Sequence, residues 1–420
     1  MNFYRSMLFI YSHKITNRIR YTFKLIFTSV LQVDIELTDD AEKFRKHSGA
    51  KISYTKKPVG DELFFQSSDL LFETGIKKIA QLPSDPFALS FFLATRYEEY
   101  LPFTGGKYGR FSAKESFAYQ NNLLQKPTID LFAAEIRNKI AERYPALSFP
   151  QKKYSFTPTI DIDNAYAFLG KSFFRTMGGY ARAFARSDKN DFALRKNVLS
   201  GKAKDPFDTY EFQLSVHKKY NLNPVYFFLL GDWAPNDKNL PYTNPLMQAL
   251  IKKISAVART GIHPSFASNQ RPGKIETEKK RLSEVSGNKI SRSRQHFLLL
   301  KFPQTYRNLL AAGITDDYTM GFADEIGFRA GTCSAFKFYD LEKEEETHLT
   351  LHPFAVMDGT LNNYLKLSPD EAVEKAKKIA AEIKNVKGEF ITIWHNETLS
   401  GWREWEGWEK VYEKVLQVSI

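Results

Sequence analysis

The chain has 420 residues, 43% of them hydrophobic and 15% aromatic, with 60 Lys and Arg against 48 Asp and Glu for a net charge of +12. That length exceeds one ordinary core and points to two domains, and the apolar content excludes a globally disordered chain. Cys333 is the single cysteine, so an intrachain disulfide is excluded and an oxidising compartment gets no support.

At the N-terminus, MNFYRSMLFIYSHKITNRIRYTFKLIF breaks its apolar runs with Arg and Lys. It carries no signal-peptide core and no bilayer-length segment, which gives a cytoplasmic expectation with peripheral contact of basic loops at a membrane surface. MLFIYS reads as a strand and TNRIRYTFKLIFTSVL as a helix capped by Thr16. VDIELT, AKISYT and ELFFQ read as short strands, and DPFALSFFLATRYEEYL and PTIDLFAAEIRNKIAERY as helices. These elements form a smaller α/β domain over residues 1–148, ending in the proline-bearing passage RYPALSFPQKKYSF.

From Tyr154 the pattern becomes strand then helix, which predicts parallel strands with crossover helices over residues 149–420. FTPTIDI, NPVYFFLLG, TGIHPSF, GITDDYTMG, GFRAGT, HLTLHPF and EFITIWHN are the candidate strands. In SPDEAVEKAKKIAAEIKNV, Ser368 and Glu371 form a capping box, with Pro369 at the first helical position. Polar residues gather at the strand ends: Asp161, Asp163, Asp232, His263, Asp316, Asp317, Arg329 and His395. In a β/α barrel that face carries the active site.

Asp161 and Asp163, one residue apart on a strand, point to the same side, and two like charges there call for a cation, a proton or a nearby base. An Asx turn is the structural alternative. With His263, Arg329 and His395 on the same face, the set holds a base, metal ligands, an orienting cation and an acid. Those groups suffice to hydrolyse an amide or ester through a water activated by a metal.

Residues 154–400 resemble the NodB-type polysaccharide deacetylases, carbohydrate esterase family four. TIDID resembles their first motif, NPVYFFLLG the following strand, GIHPSFAS the metal-histidine motif, GFRAGT the arginine motif and ITIWHN the last motif, in matching order. RYEEYLPF and DPFDTYEF look like a Bacteroidetes-type subgroup with an extra N-terminal domain. The resemblance implies an irregular (β/α) barrel preceded by a smaller α/β domain. It implies removal of an N- or O-linked acetyl group from a polysaccharide or lipid-linked glycan, with a divalent metal, Zn²⁺ foremost. Asp161 would be the base, Arg329 its partner and His395 the acid, with Asp163, His263 and His296 as ligands. Ser265, Asp317, Trp394 and Asn396 would contact substrate. The chain departs from the motif in two ways: Ile162 separates the aspartates, and Ala267 stands where a second metal histidine is usual, which is why His296 enters as third ligand, with Ser268 and Asp317 as weaker ones.

Nine Lys and Arg against two Asp between Lys171 and Lys204, and eight against three Glu between Gln270 and His296, place two basic stretches after motif-bearing strands. Both are expected to rim the mouth of the site and to suit an anionic glycan. Two other readings stay open. One is a barrel that binds glycan without hydrolysis; the other is a glycosyltransferase using Asp161 and Asp163 as a D-x-D metal site. A nucleic-acid partner is not expected, since no basic–aromatic recognition module is present.

Overall fold

The computed structural model describes residues 7–79 and 84–420; residues 1–6 and 80–83 lie outside it. The chain is α/β, as its pattern implied, and is built on two sheets. In the first, β1 (Met7–Tyr11), β2 (Asp34–Thr38), β3 (Lys51–Thr55) and β4 (Leu63–Gln66) run parallel in the order β2-β1-β3-β4. Thr16 caps the helix Asn17–Phe23 through a bond from the Ile19 N–H, and the chain continues as a π-helix, Lys24–Val30.

The second sheet holds β5 (Ser155–Ile162), β6 (Val225–Phe228), β7 (Arg259–Ile262), β8 (Arg292–Ser293), β9 (Asp316–Asp317), β10 (Phe336–Asp340), β11 (Glu345–Leu351), β12 (Val356–Met357) and β13 (Glu389–His395). Their order is β10-β11-β9-β8-β7-β6-β5-β13-β12, and every ladder is parallel except β10–β11. The expected barrel is therefore corrected to an open sheet. The antiparallel hairpin occupies one edge and the two-residue β12 the other, and among the described residues no ladder joins them.

GFRAGT, expected as a strand, is a loop between β9 and β10, and GITDDYTMG shrinks to the two residues of β9. The loop is held by long-range polar contacts. Arg329 Nε donates to Glu99 Oε1 (2.9 Å) and its Nη2 to Glu99 Oε2, while Arg96 Nε donates to the same Glu99 Oε1 at 2.8 Å. The motif RYEEYL is thus a buried ionic fastening between the two sheets. Apolar side chains of both sheets and their helices, from Leu8 and Phe87 to Ile160 and Trp394, pack in one continuous core.

Parallel strands bring their carboxyl ends to one edge, which positions the site. Register aligns the ends: His395 lies opposite Asp161, Phe228 opposite Ile262, and Ile262 opposite Ser293. Gly261 permits the close approach of β7 to β8, because a Cβ there would stand 2.8 Å from the Arg292 carbonyl oxygen and 2.7 Å from the Phe227 ring.

Candidate metal centre and cleft

Asp163 leaves β5 beside a cleft of about 440 Å³ that is also lined by Asp161, His263, His296 and His395. Its Oδ1 lies 3.1 Å from His263 Nε2 and its Oδ2 3.4 Å from His296 Nε2. One ligand atom from each of the three residues falls within 4.8 Å of the others. Both rings are held from behind. His263 Nδ1 is 2.6 Å from the Arg294 carbonyl oxygen, and His296 Nδ1 is 3.1 Å from Asp237 Oδ1. An acceptor at Nδ1 fixes the tautomer that leaves Nε2 free as a ligand.

The electrostatics of the cluster favour positive charge. Burial works against a protonated His296, yet Asp163 and then Asp237 raise it to about 9. Burial likewise works against a charged Asp163, yet His296 and His263 hold it well below the usual carboxylate range.

Asp161 and His395 flank the cluster. Asp161 Oδ1 accepts from Arg294 Nη1 at 2.9 Å, and Oδ2 lies 3.9 Å from His263 Nε2. Arg294 is fully buried, with its Nε donating to the Tyr318 carbonyl and its guanidinium over the Phe227 ring. The expected Arg329–Asp161 pair is corrected on this point: Arg329 is spent on Glu99, and Arg294 takes its place. His395 Nδ1 is 2.9 Å from Asp358 Oδ1, and its Nε2 points toward Asp163 Oδ2 at 4.0 Å. Burial disfavours the charged ring, but Asp358 outweighs it and holds His395 well above the usual histidine range.

The four expected substrate contacts lie outside the cleft. Ser265 gives its hydroxyl to Glu278 Oε1, and Asp317 accepts from Ser293 and Thr319 in full burial. Trp394 packs edge-on against Tyr412. Asn396 donates to the Asn164 and Phe207 carbonyls and so steadies the loop after Asp163. Ser268, a weaker ligand candidate, turns its hydroxyl to the Ser265 carbonyl.

The polar lining instead comes from Tyr108, Arg110, Asn164, Lys238, Gln295 and Glu397. Burial, and Asp163 next, push Glu397 up to about 7. Arg110 donates to the Phe297 carbonyl (2.8 Å) and to Tyr364 Oη (2.6 Å), clamping the loop that carries His296, where Phe297 and Leu298 both have positive φ. The basic stretch 270–296 does not rim the mouth as expected. Lys274 and Arg281 pair with Asp232, and Arg294 lies inside.

Asp237, Asp358 and Arg294 escaped the sequence reading. Asp237 sits in a loop and Asp358 at the head of the short helical turn after β12, neither in a periodic pattern, and Arg294 lies in a run of surface-like basic residues.

Residues 8–145 match a family model described as a family of unknown function, DUF7033. No curated protein matches. Among solved structures, a candidate polysaccharide deacetylase from Mycobacterium smegmatis is 15% identical, covering 64% of this chain and 85% of that one, with a TM-score of 0.40. A probable polysaccharide deacetylase from Pseudomonas aeruginosa is 10% identical, covering 64% and 88%, with a TM-score of 0.39. A carbohydrate esterase family four pseudoenzyme from Bacillus anthracis is 9% identical, covering 63% and 61%, with a TM-score of 0.28. No helix among the described residues is long and apolar enough to cross a membrane.

Proposed function

We propose that the cleft removes an acetyl group from a glycan, using a divalent cation held by Asp163, His263 and His296. The carrying observation is the convergence of two Nε2 atoms on one carboxylate, 3.1 and 3.4 Å away, between the Asp161–Arg294 and His395–Asp358 pairs. The donor set fits the ion. One carboxylate and two imidazoles are a three-ligand set of the kind catalytic Zn²⁺ sites use, and Asp163 Oδ1 is buried without a hydrogen-bond partner. Bound there, the cation would supply Lewis-acid polarisation of an acetyl carbonyl and of a water.

The chain's own groups do the proton work. Asp161, held through Oδ1 by Arg294, presents Oδ2 to take a proton from the attacking water. His395 returns a proton from Nε2 to the departing amine or alkoxide, while Asp358 holds Nδ1 and stabilises the imidazolium. Residues 1–148, read as a separate unit, lend Tyr108 and Arg110 to the wall. Arg110 and Lys238 favour an anionic glycan.

The test is metal analysis of protein prepared with and without chelator, together with acetate release from N-acetylated and O-acetylated oligosaccharides. Zn²⁺ should bind one per chain and be lost in His296→Ala. Asp161→Asn should keep the metal and lower kcat by about 10²- to 10⁴-fold. Absence of both metal binding and acetate release would replace this reading with the non-hydrolytic glycan-binding one.

A further inference from the structure

A helix on a folded surface normally turns its apolar stripe inward. The helix Phe173–Ala185 does the reverse. It buries Gly179 and Ala183 against the protein, whereas Phe173 is 72% exposed, Phe174 85%, Met177 49% and Phe184 82%. At 3.6 residues per turn Phe173, Met177 and Phe184 fall within about 40° of one another, with Phe174 next to them. Rings of that size held in water cost free energy unless something covers them.

The surroundings say what covers them. Arg182 is exposed on the same helix about 80° beyond Phe174, and Arg186 is exposed where the helix ends. The next helix, Lys189–Leu199, exposes Lys189, Phe192, Lys196 and Leu199 at positions that share a face. Nine Lys and Arg stand against two Asp between Lys171 and Lys204. Exposed aromatics beside an excess of cations complement the acyl boundary and the phosphates of an anionic bilayer. A second copy of the chain would bring the same positive charge against itself.

We infer that the helices Phe173–Ala185 and Lys189–Leu199 form a docking surface for an anionic lipid bilayer. The phenylalanines enter the headgroup boundary, and the arginine and lysine side chains reach the lipid phosphates. The surface is tied to the cleft. Arg175 donates to the Lys238 carbonyl at 2.6 Å and lies over the 61%-exposed Trp233, and Lys238 lines the cleft. Docking therefore sets the mouth beside the lipid surface. It does so whether or not the cleft hydrolyses acetyl groups.

The test is co-sedimentation of the full chain with phosphatidylcholine vesicles, with and without phosphatidylglycerol. Analytical ultracentrifugation gives the oligomeric state without lipid. The chain should bind the anionic vesicles only. Phe173→Ser/Phe174→Ser/Phe184→Ser should weaken that binding at least about tenfold with an unchanged thermal melt. Arg182→Glu/Arg186→Glu should weaken it and abolish its salt sensitivity. Equal binding by the triple variant would overturn the inference. So would no binding by the parent chain, or self-association that the triple variant dissolves.

Discussion

Asp237 touches neither the cleft nor a ligand atom, yet its removal should weaken metal binding. It is fully buried; Oδ1 accepts from the Phe266 N–H (2.8 Å) and faces His296 Nδ1 (3.1 Å), and Oδ2 accepts from the Ala267 N–H (3.2 Å). Asp237→Asn keeps the shape but sets an amide donor against one of those donors. Asp237→Ala frees all three and lets the ring turn. Outer carboxylates on ligand histidines are worth about 10- to 100-fold in metal affinity. We therefore expect about tenfold for Asn and about a hundredfold for Ala, or about 1.4 and 2.7 kcal/mol. Competition for Zn²⁺ against a chromophoric chelator gives the affinity, and the absorption of bound Co²⁺ reports the geometry. A melt in chelator shows that the variants fold. Parent-like Zn²⁺ affinity in Asp237→Ala, with affinity lost in His296→Ala, would refute the idea that the carboxylate sets the ring.

Two further outcomes concern stability. Glu99→Ala leaves Arg96 and Arg329 buried without their shared carboxylate, so urea unfolding should show a loss of about 3–5 kcal/mol; a loss below about 1 kcal/mol would mean that the loop is held by packing alone. Burial lowers His217 to about 4, with Tyr412 and Tyr226 around its ring. Below pH about 6.5 the unfolded chain takes up a proton that the folded chain refuses, so stability present above that pH should fall progressively toward pH 4, by up to on the order of 3 kcal/mol. His217→Phe should flatten that limb by about one proton's slope, and an unchanged slope in paired denaturant titrations would contradict it.

Legibility in the sequence followed distance along the chain. TIDID, GIHPSF and ITIWHN could be placed at strand ends because each ends a short β-branched or aromatic run, and parallel order makes such ends meet. The groups that hold their side chains could not be read. Arg294 is 133 residues from Asp161, Asp237 is 59 from His296, and Asp358 is 37 from His395. Arg329 is a case of the same kind: its partner Glu99 lies 230 residues upstream, in a segment whose sequence reads only as a helix. Closure of the sheet was also illegible, because HLTLHPF pairs backward with β10 and a strand pattern carries no sign of ladder direction.

The turn Phe266–Asn269, which carries Ala267, acts on the cluster through its backbone. In this chain the same turn gives only backbone N–H groups, and both Phe266 and Ala267 donate them to Asp237. Asp237 in turn faces His296, whose Nε2 lies near Asp163. The turn thus acts on the cluster through the intervening carboxylate of Asp237, and His296 itself comes from the loop after β8. Because that loop has two successive positive φ angles and is clamped by Arg110, the site depends on the segment that carries Tyr108 and Arg110. On this geometry the segment around Tyr108 and Arg110 and the loop that carries His296 are parts of one arrangement.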